Sequence, residues 1–339
     1  MTVSRDHNRS GIADEVLAVL RCLSCQGRLE NRGGELACRA CGGTYPQVNG
    51  VIRFVDQQHY AGSFGFQWQV HARTQLDTDE SHVSEKAFRE RTGFRPEDLA
   101  GKLVLDVGCG MGRFADVATR WGARVVGIDL SLAAEVAAVN LAGRDATILQ
   151  ADVFHLPFAP ESFDFIYSIG VLHHTPDCEA AFKKLPGLLK PRGRIAIWLY
   201  SKYHNWYKMS DLYRKLTRRM PPRLLHTLCY GVIPLYGMHR VLRKIPVIGR
   251  PASGVLAYAI PMAFHEDPKW RVLDTFDWYS PWYQSKHTYE EVFRWFEDCG
   301  LEDLRVILEP IAVTGRKPAA SPGVSLRKDE SREVQRCAE

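Results

Sequence analysis

The sequence lacks long apolar runs. It has no stretch of 18 consecutive apolar residues, whereas a helix that crosses a bilayer needs about 20. The first ten residues are polar and charged, so we expect no secretory signal peptide. The 339 residues are 45% hydrophobic and 24% charged, which excludes a disordered, collagen-like or coiled-coil chain. These features predict a globular, cytoplasmic protein.

Acidic residues are scarce in one segment of the chain. Residues 202–250 contain one acid, Asp211, against eleven lysines and arginines, which gives this segment a net charge of +10. The whole chain carries +5, so the remaining residues together carry −5. The positive charge is therefore confined to one block, and the protein is not uniformly basic.

Disulfide bonds are not expected, because the nine cysteines occur without a secretory signal. Four of them form two Cys-x-x-Cys pairs, and the other five are scattered and are expected to be ordinary thiols. Two such pairs on tight turns can place four thiolates around one structural zinc ion, with no open position for catalysis. The alternatives are four free thiols or two redox pairs. The predicted zinc ligands are Cys22, Cys25, Cys38 and Cys41.

The composition and pattern of the chain change along its length. Alternating strand and helix patterns begin near Lys102 and are typical of an α/β fold. The predicted regions are a polar start (1–20), a zinc ribbon (21–56), a connector (57–100), the α/β core (101–200), a basic insertion (201–287), the C-terminal part of the core (288–315) and a disordered tail (316–339).

A glycine-rich turn follows the first predicted strand of the core. Residues 103–107 favour a strand, and Gly108, Gly110 and Gly112 follow at once, before a helical pattern. Glycines at a strand-to-helix turn let a ligand approach the backbone, and the N-terminus of the helix favours an anionic group. The spacing differs from the Gly-x-Gly-x-x-Gly of dinucleotide-binding proteins. The turn therefore predicts a ligand site of another type.

This turn, with Asp106 just before it, resembles the first motif of class I S-adenosylmethionine-dependent methyltransferases. The following elements keep the order of that family up to residue 200, with Asp129 ending the second strand and Asp152 following the third. The resemblance implies a Rossmann-like seven-stranded sheet with helices on both faces and one antiparallel edge strand. It also implies that S-adenosyl-L-methionine is bound by Asp106, Gly108, Cys109, Gly110, Gly112, Asp129, Leu130, Asp152, Val153 and Ser168.

The segment after the second cysteine pair, residues 45–54, resembles the end of the small zinc-ribbon proteins that activate tRNA and rRNA methyltransferases. A fused cysteine ribbon also occurs in a family of rRNA guanine methyltransferases. A module of this size buries little apolar surface, so a metal ion would supply much of its stability.

Two histidines follow the fourth predicted strand of the core. Methyl transfer from the sulfonium of the cofactor is an in-line displacement, so the protein chiefly positions the acceptor and removes at most one proton. His173 or His174 is a candidate general base, because ligands of this fold bind at the carboxyl ends of the strands. The alternative is that both pack the loop and shape the cofactor pocket. The sequence does not separate the two residues.

Acceptor classes are narrowed by motifs that the sequence does not contain. It has no Asp/Asn-Pro-Pro-aromatic motif of adenine methylation after the fourth strand, and no cysteine in a motif of the covalent cytosine-C5 or uracil-C5 enzymes. An O-, N- or C-acceptor remains.

Two aromatic segments are expected to shape the site. We expect segment 64–69 to cover the cofactor, and segment 276–283 either to line the acceptor site or to fill the core between the insertion and the sheet. The second segment resembles one in uncharacterised bacterial methyltransferases, some associated with glycan or natural-product pathways.

We therefore predict a methyltransferase that acts on a small or lipid-linked metabolite of the glycan or natural-product type. RNA base methylation is the first alternative, and a non-catalytic cofactor-binding scaffold is the second. Three roles remain open for the basic insertion. It is a lid whose charges are solvated, or residues 202–250 contact a membrane surface, or the insertion binds nucleic acid. A membrane contact would make the cytoplasmic protein peripheral. The uncharged stretch within the insertion, residues 224–239, is too short to span a membrane.

Overall fold

The computed structural model describes residues 12–55, 60–203 and 207–319. These ranges leave out residues 1–11, which are most of the predicted polar start (1–20). They also leave out the residues from 320 onward, which are most of the predicted disordered tail (316–339). Within the three described ranges, no helix combines the length and the apolar character needed to cross a membrane.

The N-terminal part of the chain folds as a short helix and four short strands. These are α1 (Asp14–Val19), β1 (Leu29–Asn31), β2 (Glu35–Cys38), β3 (Thr44–Val48) and β4 (Val51–Arg53). The four strands pair antiparallel in chain order. One cysteine pair precedes β1, and the other lies at the turn between β2 and β3.

The remaining elements alternate in the order expected for an α/β core with an insertion. The connector contains α2 (Gly62–Val70), α3 (Val83–Thr92) and α4 (Pro96–Leu99). The core contains β5 (Leu103–Val107), α5 (Arg113–Arg120), β6 (Arg124–Asp129), α6 (Ala133–Asn140), β7 (Ala146–Gln150), β8 (Phe163–Ile169), α7 (Cys178–Lys183) and β9 (Leu189–Trp198). The insertion contains α8 (Tyr207–Thr217), α9 (Pro222–Cys229), α10 (Val232–Leu242), α11 (Gly249–Ala259) and α12 (Pro268–Tyr279). The last elements are α13 (Tyr289–Asp298), β10 (Glu302–Val306) and β11 (Ala312–Arg316).

The seven core strands lie in the order β7-β6-β5-β8-β9-β11-β10. Along the run β7-β6-β5-β8-β9, each strand pairs parallel with its neighbour. Strand β11 pairs antiparallel with both β9 and β10. This is the Rossmann-like arrangement that the sequence predicted. The antiparallel strand is not at the edge, which corrects the prediction. Because β11 is almost wholly buried and β10 is largely exposed, β11 takes the inner position.

Apolar side chains cover both faces of the core sheet. Leu103, Leu105 and Val107 of β5 belong to one hydrophobic cluster, together with residues of α7, α13 and the ribbon. Val104 belongs to another cluster, together with residues of α3, α5 and α6. This alternation with a period of two is expected for a strand that is buried on both faces. The helices therefore lie on both faces of the sheet.

The helix before β9 is shorter than predicted. Taken alone, the sequence of residues 178–190 predicts one helix with a kink at Pro186, but α7 ends at Lys183 and Pro186 begins a short 3₁₀ turn. Proline has no N–H donor and its ring clashes with the preceding turn, so it stops this helix instead of bending it. Strand β9 begins at Leu189, inside the region predicted to be helical.

The strand count is higher than predicted, because the ribbon extends the core sheet. Strand β4 pairs parallel with β7, and eleven strands form one sheet. Val51 and Ile52 of β4 are buried, and Ile52 shares a hydrophobic cluster with Leu149 of β7. Without β4, β7 would present a row of unpaired backbone groups at the sheet edge. The ribbon and the core thus share one hydrophobic interior.

The basic insertion is helical and has a packed interior. A hydrophobic cluster joins α9, α10 and α12, and Phe66 of α2 packs against it. The uncharged stretch 224–239 is divided between α9 and α10, which meet at Tyr230 and Gly231. Helix α12 of the insertion packs against α2, and His226 of α9 contacts His71 at the end of α2.

We expect Ile52→Ala to destabilise the whole protein by about 2–5 kcal/mol, because it leaves a cavity in the interior shared by β4 and β7. All eight tryptophans lie outside the ribbon, so their fluorescence in a urea titration reports the unfolding of the rest of the chain. Val48→Ala, at an exposed ribbon position, is the matched control and should change stability by less than about 0.5 kcal/mol. An unchanged midpoint for Ile52→Ala would show that the ribbon unfolds separately.

Candidate active site

A cavity of about 520 Å³ lies at the carboxyl ends of β5, β6, β8 and β9. Ligands of open α/β sheets bind at this edge, and the volume is typical of a small-molecule site. Much of the wall is aromatic. The aromatic residues are Tyr60, Phe64, Trp68, Phe114, Trp198, Tyr200, Trp270 and Trp278.

The glycine-rich turn between β5 and α5 exposes its backbone to this cavity. Gly108 and Gly110 have left-handed φ angles of +79° and +54°. A Cβ atom on Gly108 would lie 2.3 Å from Cγ1 of Val171, and one on Gly110 would lie 3.1 Å from Nε1 of Trp68. Both the backbone conformation and the space therefore favour glycine here. Gly108, Cys109 and Gly110 line the cavity.

Asp129, at the end of β6, is held beside this turn. Its Oδ2 accepts a hydrogen bond from the backbone N–H of Gly110 at 2.9 Å. Its Oδ1 accepts hydrogen bonds from the N–H and the hydroxyl of Ser131 at 2.8 and 2.7 Å. Asp129 and Leu130, two of the predicted cofactor-binding residues, line the cavity. A carboxylate in this position can accept hydrogen bonds from both ribose hydroxyls of a nucleoside.

Helix α2 lies across the glycine turn. Phe64, Gln67 and Trp68 line the cavity, and α2 packs against α6. The sequence predicted a covering segment at residues 64–69, and the structure places that segment beside the turn. Gln67 is buried, and its amide nitrogen lies 3.5 Å from Oδ1 of Asp277.

The other predicted cofactor residues do not line the cavity. Ser168 is buried, and its hydroxyl donates a hydrogen bond to the carbonyl of Val107 at 3.0 Å, which ties β8 to β5. Asp106 is buried in β5, and burial raises its pKa to about 8. Their contact with a cofactor stays a prediction. The predicted residues outside the lining are Asp106, Gly112, Asp152, Val153 and Ser168.

The two histidines after β8 have different surroundings. His174 lines the cavity, whereas His173 does not. The ring of His173 stacks on Tyr200 with centroids 4.0 Å apart, and neither of its nitrogens has a hydrogen-bond partner among the described residues. Burial lowers the pKa of both histidines, so both are neutral at neutral pH. The structure therefore separates two residues that the sequence could not, and His174 is the candidate base.

The ring of His174 is oriented through its Nδ1 atom. Nδ1 lies 3.0 Å from the backbone carbonyl of Tyr283, and a carbonyl accepts only from an N–H, so Nδ1 carries the proton. Nε2 is then an acceptor, without a hydrogen-bond partner in the described chain, and lies 3.9 Å from Oδ2 of Asp277. Tyr200 donates a hydrogen bond to the same Oδ2 at 2.8 Å. The site thus combines an unprotonated imidazole nitrogen with an oriented carboxylate.

Asp277 is a cavity residue that the sequence did not single out. Asp277 lies in the aromatic segment 276–283. An acidic residue within an aromatic segment was the feature of the sequence that could have identified it. Other cavity residues that were missed lie on α3, α5, α12 and just after β9, far apart in the chain. They are Arg91, Arg113, Tyr200, Trp270 and Asp274.

The cavity wall also contains the guanidinium groups of Arg91 and Arg113 and a second carboxyl group, that of Asp274. Burial, and then the positive charge of Arg91, lowers the pKa of Arg113 to about 9. Burial, and then the charge of Asp277, raises the pKa of Asp274 to about 7. Arg91 stacks over Trp198 with Cζ 4.2 Å from the ring centroid, and its buried Nε has no hydrogen-bond partner in the described ranges. Because Arg91 also lines the cavity, its positive charge can attract a negatively charged ligand there.

The four predicted zinc ligands come together in the ribbon. Their sulfur atoms all lie within 4.8 Å of one another. Sγ of Cys22 is 3.6 Å from Sγ of Cys41, and Sγ of Cys25 is 3.4 Å from Sγ of Cys38. Tetrahedral zinc with bonds of about 2.3 Å to sulfur places the sulfurs about 3.8 Å apart, so the cluster fits this ion. A Cβ atom on Gly27 would lie 2.9 Å from Sγ of Cys38, which explains the glycine in this turn.

Comparison with known proteins agrees with this geometry. Residues 105–197, from β5 to β9, match the family model of the methyltransferase domain. Over these residues the core is therefore similar to methyltransferase domains. Within these residues, the glycine turn and Asp129 line the cavity.

Curated relatives match the methyltransferase domain and its surroundings. The chain is 33% identical to the methyltransferase GfsG of Streptomyces halstedii over 168 residues, which cover 47% of this chain and 57% of the relative. It is 30% identical to a ubiquinone biosynthesis O-methyltransferase of Rhodopseudomonas palustris over 159 residues, which cover 43% and 59%. The chain thus spans just over half the length of these relatives. A solved S-adenosylmethionine dependent methyltransferase from Mesorhizobium loti is 28% identical with a TM-score of 0.30, over 35% of this chain and 53% of that one.

Asp129→Asn should weaken the binding of S-adenosylhomocysteine, the demethylated cofactor, by about tenfold to a hundredfold. A hydrogen bond to a charged group contributes about 1.5–3 kcal/mol, and the substitution removes the charge beside Gly110 and the cavity. Isothermal titration calorimetry measures the affinity. Asp145→Asn makes the same change at the exposed start of β7 and should bind as the wild type does. Equal affinity of Asp129→Asn and the wild type would contradict the assigned role.

Proposed function

We propose that this protein is an S-adenosyl-L-methionine-dependent methyltransferase that methylates a hydroxyl group of a small or lipid-linked metabolite. The observation that carries the proposal is one cavity that is lined by the glycine turn and Asp129 together with His174 and Asp277. Relatives named as O-methyltransferases support the choice of a hydroxyl acceptor.

The residues at the glycine turn fit S-adenosyl-L-methionine. Gly108 and Gly110 place no side chain between the backbone and a ligand, and Asp129 would accept hydrogen bonds from its ribose hydroxyls. Trp68 would cover it from α2. The bound cofactor supplies a methyl group that is activated by a sulfonium.

His174 would act as the general base. Its unprotonated Nε2 would take the proton of the acceptor hydroxyl, which makes that oxygen nucleophilic. The carboxylate of Asp277, 3.9 Å from Nε2, would stabilise the resulting imidazolium. Tyr200 and Gln67 hold this carboxylate in place through their hydrogen bonds.

The walls of the cavity favour an acceptor with an apolar or aromatic body. Flat aromatic side chains such as Trp198, Trp270 and Trp278 offer large apolar contact areas. The guanidinium of Arg91 would bind an acidic group, either of the acceptor or of the methionine part of the cofactor. An acidic metabolite with an aromatic or aliphatic body fits this combination.

The proposal is tested by the transfer of radiolabelled methyl groups into a cell extract that is then separated into RNA, lipid and small-molecule fractions. We expect label in the lipid or small-molecule fraction. His174→Gln should reduce the transfer by about 10²- to 10⁴-fold, the contribution of one general base. His82→Gln, at an exposed histidine of the connector, is the matched control.

Two outcomes of this experiment would contradict the proposal. Label in the RNA fraction would overturn the proposed acceptor class. Cofactor binding without label in any fraction would overturn catalysis and leave a cofactor-binding scaffold.

The proposed base also sets the pH dependence of transfer. Burial lowers the pKa of His174 below its ordinary value of 6.5, and the charge of Asp277 partly opposes this shift. His174 accepts a proton only while neutral, so its contribution to the rate should be complete above pH 6.5 and should be lost at lower pH, as His174 becomes protonated. The acid limb should disappear in the residual activity of His174→Gln. An unchanged acid limb in that variant would assign it to another group.

We also propose that Cys22, Cys25, Cys38 and Cys41 hold one structural zinc ion. The separations between their sulfur atoms support this. Four thiolates complete a tetrahedral coordination sphere, so no position remains for a substrate. The backbone N–H of Ala40 lies 3.4 Å from Sγ of Cys38, where it can stabilise a thiolate.

Cys38→Ser should release the metal and lower the melting temperature of the whole chain, because the ribbon shares its interior with the core. Elemental analysis of the purified protein measures the zinc content, and differential scanning calorimetry measures the melting. Cys299→Ser, outside the cluster, should keep both properties. Full zinc retention and unchanged melting in Cys38→Ser would rule out the ribbon as a zinc site.

A further inference from the structure

The part of the insertion that contains α9, α10 and α11 has no negative charge. No aspartate or glutamate occurs from residue 212 to residue 265, a stretch that the structure describes throughout. The same stretch contains nine lysines and arginines. Arg243, Lys244 and Arg250 are exposed around the turn between α10 and α11, and the salt bridges formed within the insertion involve other residues.

The turn between α10 and α11 is entirely apolar at its tip. Ile245, Pro246, Val247 and Ile248 are consecutive and exposed, and Val247 exposes 92% of its surface. A run of four exposed apolar residues is unfavourable in water and is retained in proteins for a function. This tip is therefore a candidate contact surface.

The apolar surface continues from the tip along the helices. Met238, Val241 and Ile245 follow each other at spacings of three and four residues, which places them on one side of the helix and the turn after it. All three are exposed, as is Val255 on α11. Helices α10 and α11 pack against each other, so the two helices form a hairpin with the apolar turn at its end.

The hairpin is held firmly by the rest of the insertion. Val232 of α10 packs in the same cluster as Phe276 of α12. Arg271 of α12 lies over the ring of Tyr236, with Cζ 3.7 Å from the centroid. The inner side of the hairpin is therefore packed, and the exposed apolar residues at its tip are not needed to complete the fold.

We propose that the α10–α11 turn, residues 245–248, inserts into the surface of an anionic lipid bilayer. Its four apolar side chains would enter the boundary of the hydrocarbon, and Arg243, Lys244 and Arg250 would lie at the level of the lipid phosphates. Because residues 212–265 contain no acid, this part of the protein meets no like-charge repulsion at an anionic surface.

The combination of charge and shape favours lipid over other partners. A symmetric dimer through this face would bring the cations of two copies together. RNA would bind the cations, but it would leave the aliphatic tip in water, and residues 245–248 include no aromatic side chain that could stack on a base. A bilayer with anionic headgroups satisfies both the cations and the apolar tip.

Vesicle sedimentation with the full chain tests this proposal. The wild type should bind vesicles of phosphatidylcholine mixed with phosphatidylglycerol, and should bind vesicles of phosphatidylcholine alone far more weakly. Rising salt should weaken the binding, because it screens the attraction between the cations and the lipid phosphates. No methyl acceptor is present, so the result does not depend on the proposed methyltransferase activity.

Two double variants separate the apolar and the ionic contributions. Val247→Asp with Ile248→Asp should abolish the binding, and Arg243→Gln with Lys244→Gln should weaken it by about thirtyfold. Val139→Asp, at an exposed apolar position on α6, is the matched control and should bind as the wild type does. Circular dichroism verifies that each variant is folded, which is expected because all these positions are on the surface.

The proposal is overturned if the wild type does not bind anionic vesicles at low salt, or if both double variants bind them as tightly as the wild type. Binding of RNA in a filter assay without binding of vesicles would overturn it in favour of a nucleic-acid partner. A dimer in light scattering that becomes a monomer in the Val247→Asp and Ile248→Asp variant, again without vesicle binding, would overturn it in favour of a second copy of the chain.

Discussion

The hydrogen bond from the backbone N–H of Gly110 to Asp129 holds the proposed cofactor site together. It joins the turn after β5 to the end of β6 at 2.9 Å. Because Gly110 has no side chain, Trp68 of α2 can lie directly beside the turn. The other oxygen of Asp129 binds Ser131, just before α6 begins. The floor of the cavity, its covering helix and the start of the next helix therefore depend on one glycine and one acid.

The proposed acceptor site depends on the insertion in a similar way. Helix α12 presents Asp274 and Asp277 to the cavity and buries Phe276 in the hydrophobic cluster of the insertion. The helix that positions a carboxylate beside His174 is thus the helix against which α10 packs. The core domain supplies the proposed cofactor site, which is general to its fold, and the insertion supplies part of the proposed acceptor site.

Much of the core could be predicted because its signals are local in the sequence. Strand β5, the glycine turn and Asp129 lie close together in the chain, and hydrophobic periodicity and turn chemistry identify them. The inner position of β11 and the pairing of β4 with β7 depend on contacts between distant segments, which periodicity does not report. The proximity of His174 and Asp277 is of the same kind. Even the adjacent His173 and His174 differ only in which way their rings face, and this depends on Tyr200 and the segment around Tyr283.

The pairing of β4 with β7 has a consequence for the behaviour of the protein in concentrated solution. A detached ribbon would leave the N–H and C=O groups of β7 open on one side, next to apolar residues such as Leu149 that are now covered. Open strand edges of this kind recruit further strands from other molecules and start aggregates. None of the residues 21–55 lines the cavity. Strand β4 of this segment nevertheless covers the edge of the sheet that forms the cavity. Deleting the ribbon would therefore yield an aggregating protein and not a smaller soluble one.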